Sequence, residues 1–205
     1  MIRIQSAKPF HVIAPATLLI VLVLMLQTAY TSERTNNLTA KVASLELGMD
    51  DYTIGKKLSS LQKKIASENI SNDAYEGTYK FKDGELFIIA AQNDDTILAV
   101  YQRNDEANMD QAKLMVSSLM LVYGEPTTMA HDKLIYWAYG GAGKISEETY
   151  NKHRENNETM EILATVKFNS SFEITGENPV QEETGINYFI ISSDPLTQEF
   201  ISRNK

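Results

Sequence analysis

The chain contains no cysteine in its 205 residues. That absence excludes disulfides, thiolate catalysis, zinc–cysteine sites and a lipidated N-terminal cysteine. Histidine is scarce: His11, His131 and His153 are the full set, and no H-x-x-x-H or H-E-x-x-H spacing joins them. A histidine-built metal site is therefore not expected. Positive charge is in deficit, with 19 Lys and Arg against 27 Asp and Glu, giving a net charge of −8 and a pI near 4.9. An acidic surface repels phosphate backbones and anionic headgroups, so nucleic acid is not an expected partner. Asp105, Glu106 and Asp110 form a small acidic group whose spacing does not match an EF-hand loop. No G-x-S-x-G elbow occurs, and Ser117-Ser118 falls in a helical pattern where hydroxyls usually bond back to the chain. No catalytic, metal or cofactor residue is assigned. A Ser–Lys dyad stays open, because it depends on geometry rather than local sequence.

What is present begins with an apolar run. Residues 10–29, FHVIAPATLLIVLVLMLQTA, carry no acidic residue, Lys or Arg, and eleven of the twenty are Leu, Ile, Val or Phe. On an insertion scale those alone favour the bilayer by roughly 3–7 kcal/mol, and some twenty apolar residues are just long enough to span it. Arg3 and Lys8 precede the run, which favours a cytoplasmic N-terminus. The exit, Gln27-Thr28-Ala29-Tyr30, is a poor small-x-small cleavage site. An uncut transmembrane signal anchor is the expectation, and release by cleavage near Ala29 is the alternative. A cysteine-free domain beyond the anchor suits a bacterial periplasm.

Leu38, Val42, Leu45 and Met49 form a short helical stripe that could pack on its own domain or pair with a second copy as a homodimer. Asp50 is read as the N-cap of an amphipathic helix carrying Ile54, Leu58, Leu61 and Ile65, with a bend near Ser59-Ser60. Alternation then predicts strands at 78–82, 85–92 and 96–103, joined by Lys82-Asp83-Gly84 and Asn93-Asp94-Asp95 turns. Asp110–Tyr123 is helical and is stopped by Gly124 and Pro126. Leu134–Tyr139 reads as a central strand, and Ser146–Asn157 as a short surface helix or an ordered loop. Met160–Ile174 and Ile186–Ser193 read as further strands around a Glu-rich loop, Gly176–Gly185. Pro195 ends the last strand, and a polar tail follows.

The stretch Leu134–Ser146, LIYWAYGGAGKIS, looks at first like a phosphate loop. The pattern G-x-x-x-x-G-K-[ST] needs glycine at 138 and a hydroxyl at 145, and the chain has Ala138 and Ile145. Gly140, Gly141 and Gly143 are read instead as φ freedom where a strand leaves the sheet, and no nucleotide is expected. Around this strand cluster Tyr123, Tyr136, Trp137 and Tyr139. Alternation puts Trp137 and Tyr139 on one face and Tyr136 on the other. They are either core or an aromatic patch for a protein partner, and they are the candidate partner-binding residues.

The run GMDDYTIGKKL resembles the opening motif of the SmpA/OmlA family of envelope-assembly lipoproteins, with Gly48, Met49, Asp50, Ile54 and Leu58 in register and Asp50 in place of the family's capping Thr or Ser. YKFKDGELFII resembles that family's strand–turn–strand, with Gly84 in the turn. The resemblance covers about residues 47–103. The family's Leu-Gly-x-Pro is absent at Ser59–Gln62, and so is its lipidation cysteine. A second copy from residue 108 is suggested by Asn108-Met109-Asp110 and by Tyr123-Gly124-Glu125-Pro126, which gives a tandem similar to the β-lactamase-inhibitor-protein architecture. The resemblance implies an α+β fold: antiparallel meanders with helices packed on one face. With the apolar run, the expected division is a cytoplasmic stub and anchor (1–30), a juxtamembrane stalk (31–47) and a periplasmic domain (48–205), in which the resemblance suggests two helix-plus-meander units (48–105 and 106–195). It also implies a non-catalytic module bound to an envelope protein at the inner membrane. A secreted inhibitor or binding protein and a periplasmic hydrolase are the alternatives.

Overall fold

The computed structural model describes residues 33–71, 74–174 and 184–202. The expected membrane segment at 10–29, its cleavage alternative and most of the Gly176–Gly185 loop lie outside the described residues. Among the described residues no helix is long and apolar enough to cross a membrane. The chain divides into two compact units, Met1–Asn37 and Leu38–Lys205. Of the first, only residues 33–37 are described, and they are helical. The second unit carries the sheet.

The elements in order are α1 (residues 33–43), β1 (Gly48–Met49), β2 (Tyr52–Thr53), α2 (Ser60–Glu68), β3 (Ile70–Ser71), β4 (Thr78–Asp83), β5 (Leu86–Ala91) and β6 (Ile97–Ala107). Then come α3 (Met109–Tyr123), β7 (Thr128–Ala130), β8 (Leu134–Gly140), β9 (Gly143–Lys144), α4 (Glu147–Glu155), β10 (Ala164–Ser170), β11 (Gly185–Ser192) and α5 (Asp194–Ser202). The fold is α+β, and every named strand pair is antiparallel. The main sheet runs β3-β4-β5-β6-β11-β10-β8-β7, with β9 also on β8. From either edge the long strands read first, second, third: β4-β5-β6 meets β11-β10-β8 along the β6–β11 seam. A helix precedes each set, α2 on one side and α3 on the other.

Directly opposed residues in an antiparallel ladder share a face. Phe81, Ile88, Val100, Ile191, Val166 and Trp137 stand opposite one another in succession across six strands. All six are fully buried. This row is the spine of the core on the first face of the sheet, and each such side chain contributes about 1.5–3 kcal/mol by leaving water. Val42 of α1 is also fully buried, and Leu38 and Leu45 pack against the same cluster. Of the two readings of this stripe, packing on its own domain is the one the structure shows. Gly55 makes this packing possible. Its φ is +79°, and a Cβ there would lie 2.6 Å from the Ala43 backbone nitrogen.

Two expectations are corrected. Asp50 caps no helix. It takes φ +48° in the tight turn between β1 and β2, because Tyr52 and Thr53 favour extended backbone and the positive φ of Gly55 stops a helix from continuing. The helix starts at Ser60, where Ser59 and Gln62 form a reciprocal capping box. The last strand does stop just before Pro195, at Ser192, but α5 rather than a polar tail follows it. Pro195 occupies an early position of α5, where a missing N–H costs nothing, and Ser193 Oγ accepts from the Leu196 N–H. Asp194 at the start of α5 pairs with Lys167 Nζ at 3.5 Å and, with Tyr150 of α4, acts on Tyr136 through space. Lys167 and Tyr136 both belong to the second face.

Candidate partner-docking face

The four aromatics singled out from sequence do not form one patch. Trp137 is fully buried on the first face. Its indole Nε1–H donates to the Gly124 carbonyl at 2.8 Å, so the core tryptophan closes the end of α3. Tyr123 tilts against Trp137 at 5.9 Å and against Phe189 at 6.3 Å. Tyr139 packs against the same core, and burial, then the neighbouring Tyr123, pushes its phenol up to about 12. Tyr136 alone faces the other way, and burial, then Asp194 and Tyr150, raise its phenol to about 12. Trp137 has no accessible surface to offer a partner, whereas Tyr123 and Tyr139 are half-buried and pack against the core beside it.

The glycine stretch is a hairpin between β8 and β9, with Gly143 at φ +102°. Lys144 Nζ donates to the carbonyls of Tyr123 and Glu125. It completes the C-terminus of α3, where a cation is favourable. β8 has partners along both edges but is the last long strand before the short β7 rather than a central one. Of the histidines, His131 takes φ +53° in the β7–β8 turn, and His153 Nδ1 lies 3.3 Å from Glu158. Among the described residues no group of three or more His, Cys, Asp or Glu could hold a metal ion.

The second face holds a different row. Lys82, Phe87, Tyr101, Ile190, Lys167 and Tyr136 oppose one another in register across β4, β5, β6, β11, β10 and β8. Phe87 stacks on Tyr101 with centroids 4.9 Å apart and planes 11° apart. Lys82 Nζ lies 5.4 Å from the Phe87 centroid and Lys167 Nζ 5.6 Å from the Tyr136 centroid. One row further along, the Arg103 guanidinium lies 5.6 Å from the centroid of Tyr188, its opposed neighbour. Three cation–π pairs of about 0.5–1 kcal/mol each hold the rings flat and the charges at the surface.

This face opens progressively. Ala138, Thr165, Ser192 and Ala99, the row next to the start of α5, are buried. The aromatic row is half-buried apart from the exposed Lys82, and Arg103 and Asn169 beyond it are exposed. By alternation the strands place Lys80, Lys82, Arg103 and Lys167 on this face; Arg103 bonds Asp105, Lys82 lies 3.8 Å from Glu85 and Lys167 3.5 Å from Asp194. Four cations against three carboxylates make this face less acidic than the chain, whose net charge is −8. With strands about 4.8 Å apart, Lys82 and Lys167 stand roughly 19 Å from each other. The sequence reading missed Phe87, Tyr101, Tyr188 and Ile190. Their signal was the lack of polar alternation in LFIIAA and in NYFIIS, since strands apolar on both sides must cover both.

No protein-family model, curated protein or solved structure matches the chain. The functional reading therefore rests on the residues themselves.

Proposed function

We propose that the chain is a membrane-tethered, non-catalytic docking module of the bacterial envelope, whose second sheet face receives an acidic protein partner. The observation that carries the reading is the row of half-exposed aromatic and aliphatic side chains flanked by Lys82, Lys167 and Arg103. Rigid aromatics supply contact area at little entropic cost, and interfaces are enriched in them and in Arg. The cations select a carboxylate-bearing surface and speed its approach. The apolar run at 10–29 supports a tether that leaves the domain in the periplasm. Confinement at a membrane raises effective concentration, so modest affinity suffices.

The test is an affinity pull-down from detergent-solubilised native membranes with intact-mass analysis, run on wild type and on Lys82→Glu/Lys167→Glu. A full-length chain with a stoichiometric partner, lost or weakened at least about tenfold by the reversal and by added salt, supports the reading. A shortened, soluble chain without a partner sinks the tethered module, and a partner indifferent to the reversal sinks the assigned face.

A further inference from the structure

On the first face, α3 does not meet the sheet along its whole length. Between its N-terminal half and strands β6 and β11 lies a cavity of about 600 Å³. Its apolar lining comes from Met115, Phe168 and Phe189, and its polar lining includes the carboxamides of Asn104, Gln111 and Asn187. Asn187 decides its character. The residue is 8% exposed, stands opposite Asn104 across the seam, and its Oδ1 has no hydrogen-bond partner. A buried acceptor left unmade costs about 1–3 kcal/mol, and an isosteric Leu would avoid that cost.

Of the other carboxamides in the lining, which include Gln102, two are committed at the oxygen. Asn104 Oδ1 accepts from the Glu106 N–H, and Gln111 Oε1 accepts from the Asn108 N–H in the capping box. Their amino groups remain as donors. The cavity thus offers the unspent acceptor of Asn187, the carboxamide amino groups as donors, a further carboxamide at Gln102 and an apolar wall. The group that complements it presents an N–H and a C=O together beside a small apolar substituent, which is a secondary amide. The charges at the mouth disfavour an anion: Glu85, Asp105 and Glu106 stand against the single cation Arg103, whose Nε donates to Asp105.

We infer that this cavity is a binding site for a neutral or cationic ligand held by a secondary amide, as a peptide backbone or an N-acetyl group presents it. The test follows the side-chain NH2 signals of Asn104, Gln111 and Asn187 in ¹⁵N-labelled full-length protein in detergent. The probes are acetyl-lysine methylamide and N-acetylglucosamine, with acetate as the anionic control. Saturable shifts at those signals with either amide but not with acetate are expected, weakened about tenfold in Asn187→Leu. Response to the lysine amide alone makes the ligand peptidic, response to the sugar alone makes it an acetamido sugar, and response to both means the amide itself is read. Asn104→Ser, at an exposed position, repeats the test if Asn187→Leu fails to fold. No saturable shift with either amide, or an equal response to acetate, overturns the inference. It is equally overturned if a folded Asn187→Leu gives the same saturable shifts at Asn104 and Gln111 as wild type, because the buried amide would then read nothing.

Discussion

Asp95 holds the β5–β6 turn at three points, and its replacement separates them. Its carboxylate accepts from the Tyr79 hydroxyl at 2.7 Å and from Lys63 Nζ at 2.7 Å. Its backbone takes φ +61°, and its carbonyl accepts from the Leu58 N–H. Asp95→Asn keeps an acceptor for Tyr79 and tolerates the left-handed backbone, losing only the ionic part of the Lys63 contact; a cost of about 0.5–1 kcal/mol is expected. Asp95→Ala loses both bonds to a charged acceptor, about 1.5–3 kcal/mol, and adds about 1 kcal/mol for a Cβ at positive φ. Asp95→Gly loses the same bonds without that strain and should be about 1 kcal/mol less destabilised than the alanine variant. The bonds from Lys63, and then Tyr79, hold the Asp95 carboxyl below its ordinary value of 3.8. Its stabilisation is therefore fully present above pH 3.8 and is lost as pH falls further through the depressed value. Wild type and Asp95→Asn should converge in stability in that acid range and differ at pH 7. The assay is denaturant unfolding of the full-length chain followed by the fluorescence of Trp137, its sole and fully buried tryptophan. Equal stabilities for the Ala, Gly and Asn variants, or an unchanged gap between wild type and Asn in acid, would refute the reasoning.

Two further outcomes follow from the core. Trp137→Phe removes the bond to Gly124 O and leaves a space beside Tyr123, so a loss of about 2–4 kcal/mol is expected by circular dichroism, and a loss below 0.5 kcal/mol would contradict the assigned role. Gly55→Ala combines a positive φ with a contact of 2.6 Å to the Ala43 nitrogen and should cost about 3 kcal/mol or more; an unchanged melting temperature would show that α1 does not press on this turn.

The sequence announced the parts whose signals are local. α3 carries a capping residue, an apolar face and a C-terminal glycine, and it falls within a residue of its expected span. The hairpin turns at Gly84 and Asp94-Asp95 are likewise where turn formers cluster. Local signals also misled. Ile54, Leu58 and Leu61 keep helical spacing, yet the first two are buried as loop residues around Gly55, because burial alone does not imply periodic structure. Pro195 reads equally well as a stop or as an early helical residue, and only the Ser193 cap distinguishes the two. The docking face was invisible for another reason. Its members come from six strands, and the register that lines up Lys82 with Tyr136 depends on pairings no single stretch encodes. Asn187 reads as an ordinary polar residue until the seam places it opposite Asn104.

The β6–β11 seam has a consequence for how the chain matures. Ala99 pairs with Ser192 about ninety residues later, so the middle of the sheet is its last part to be synthesised. Contacts this distant slow folding, since closure entropy must be met before they form. A chain emerging N-terminus first would complete β4-β5-β6 while β6 still shows an unpaired edge, a template for other strands. That edge is covered only when β11 arrives, so truncation before Gly185 should leave a sticky half-sheet rather than a smaller working module.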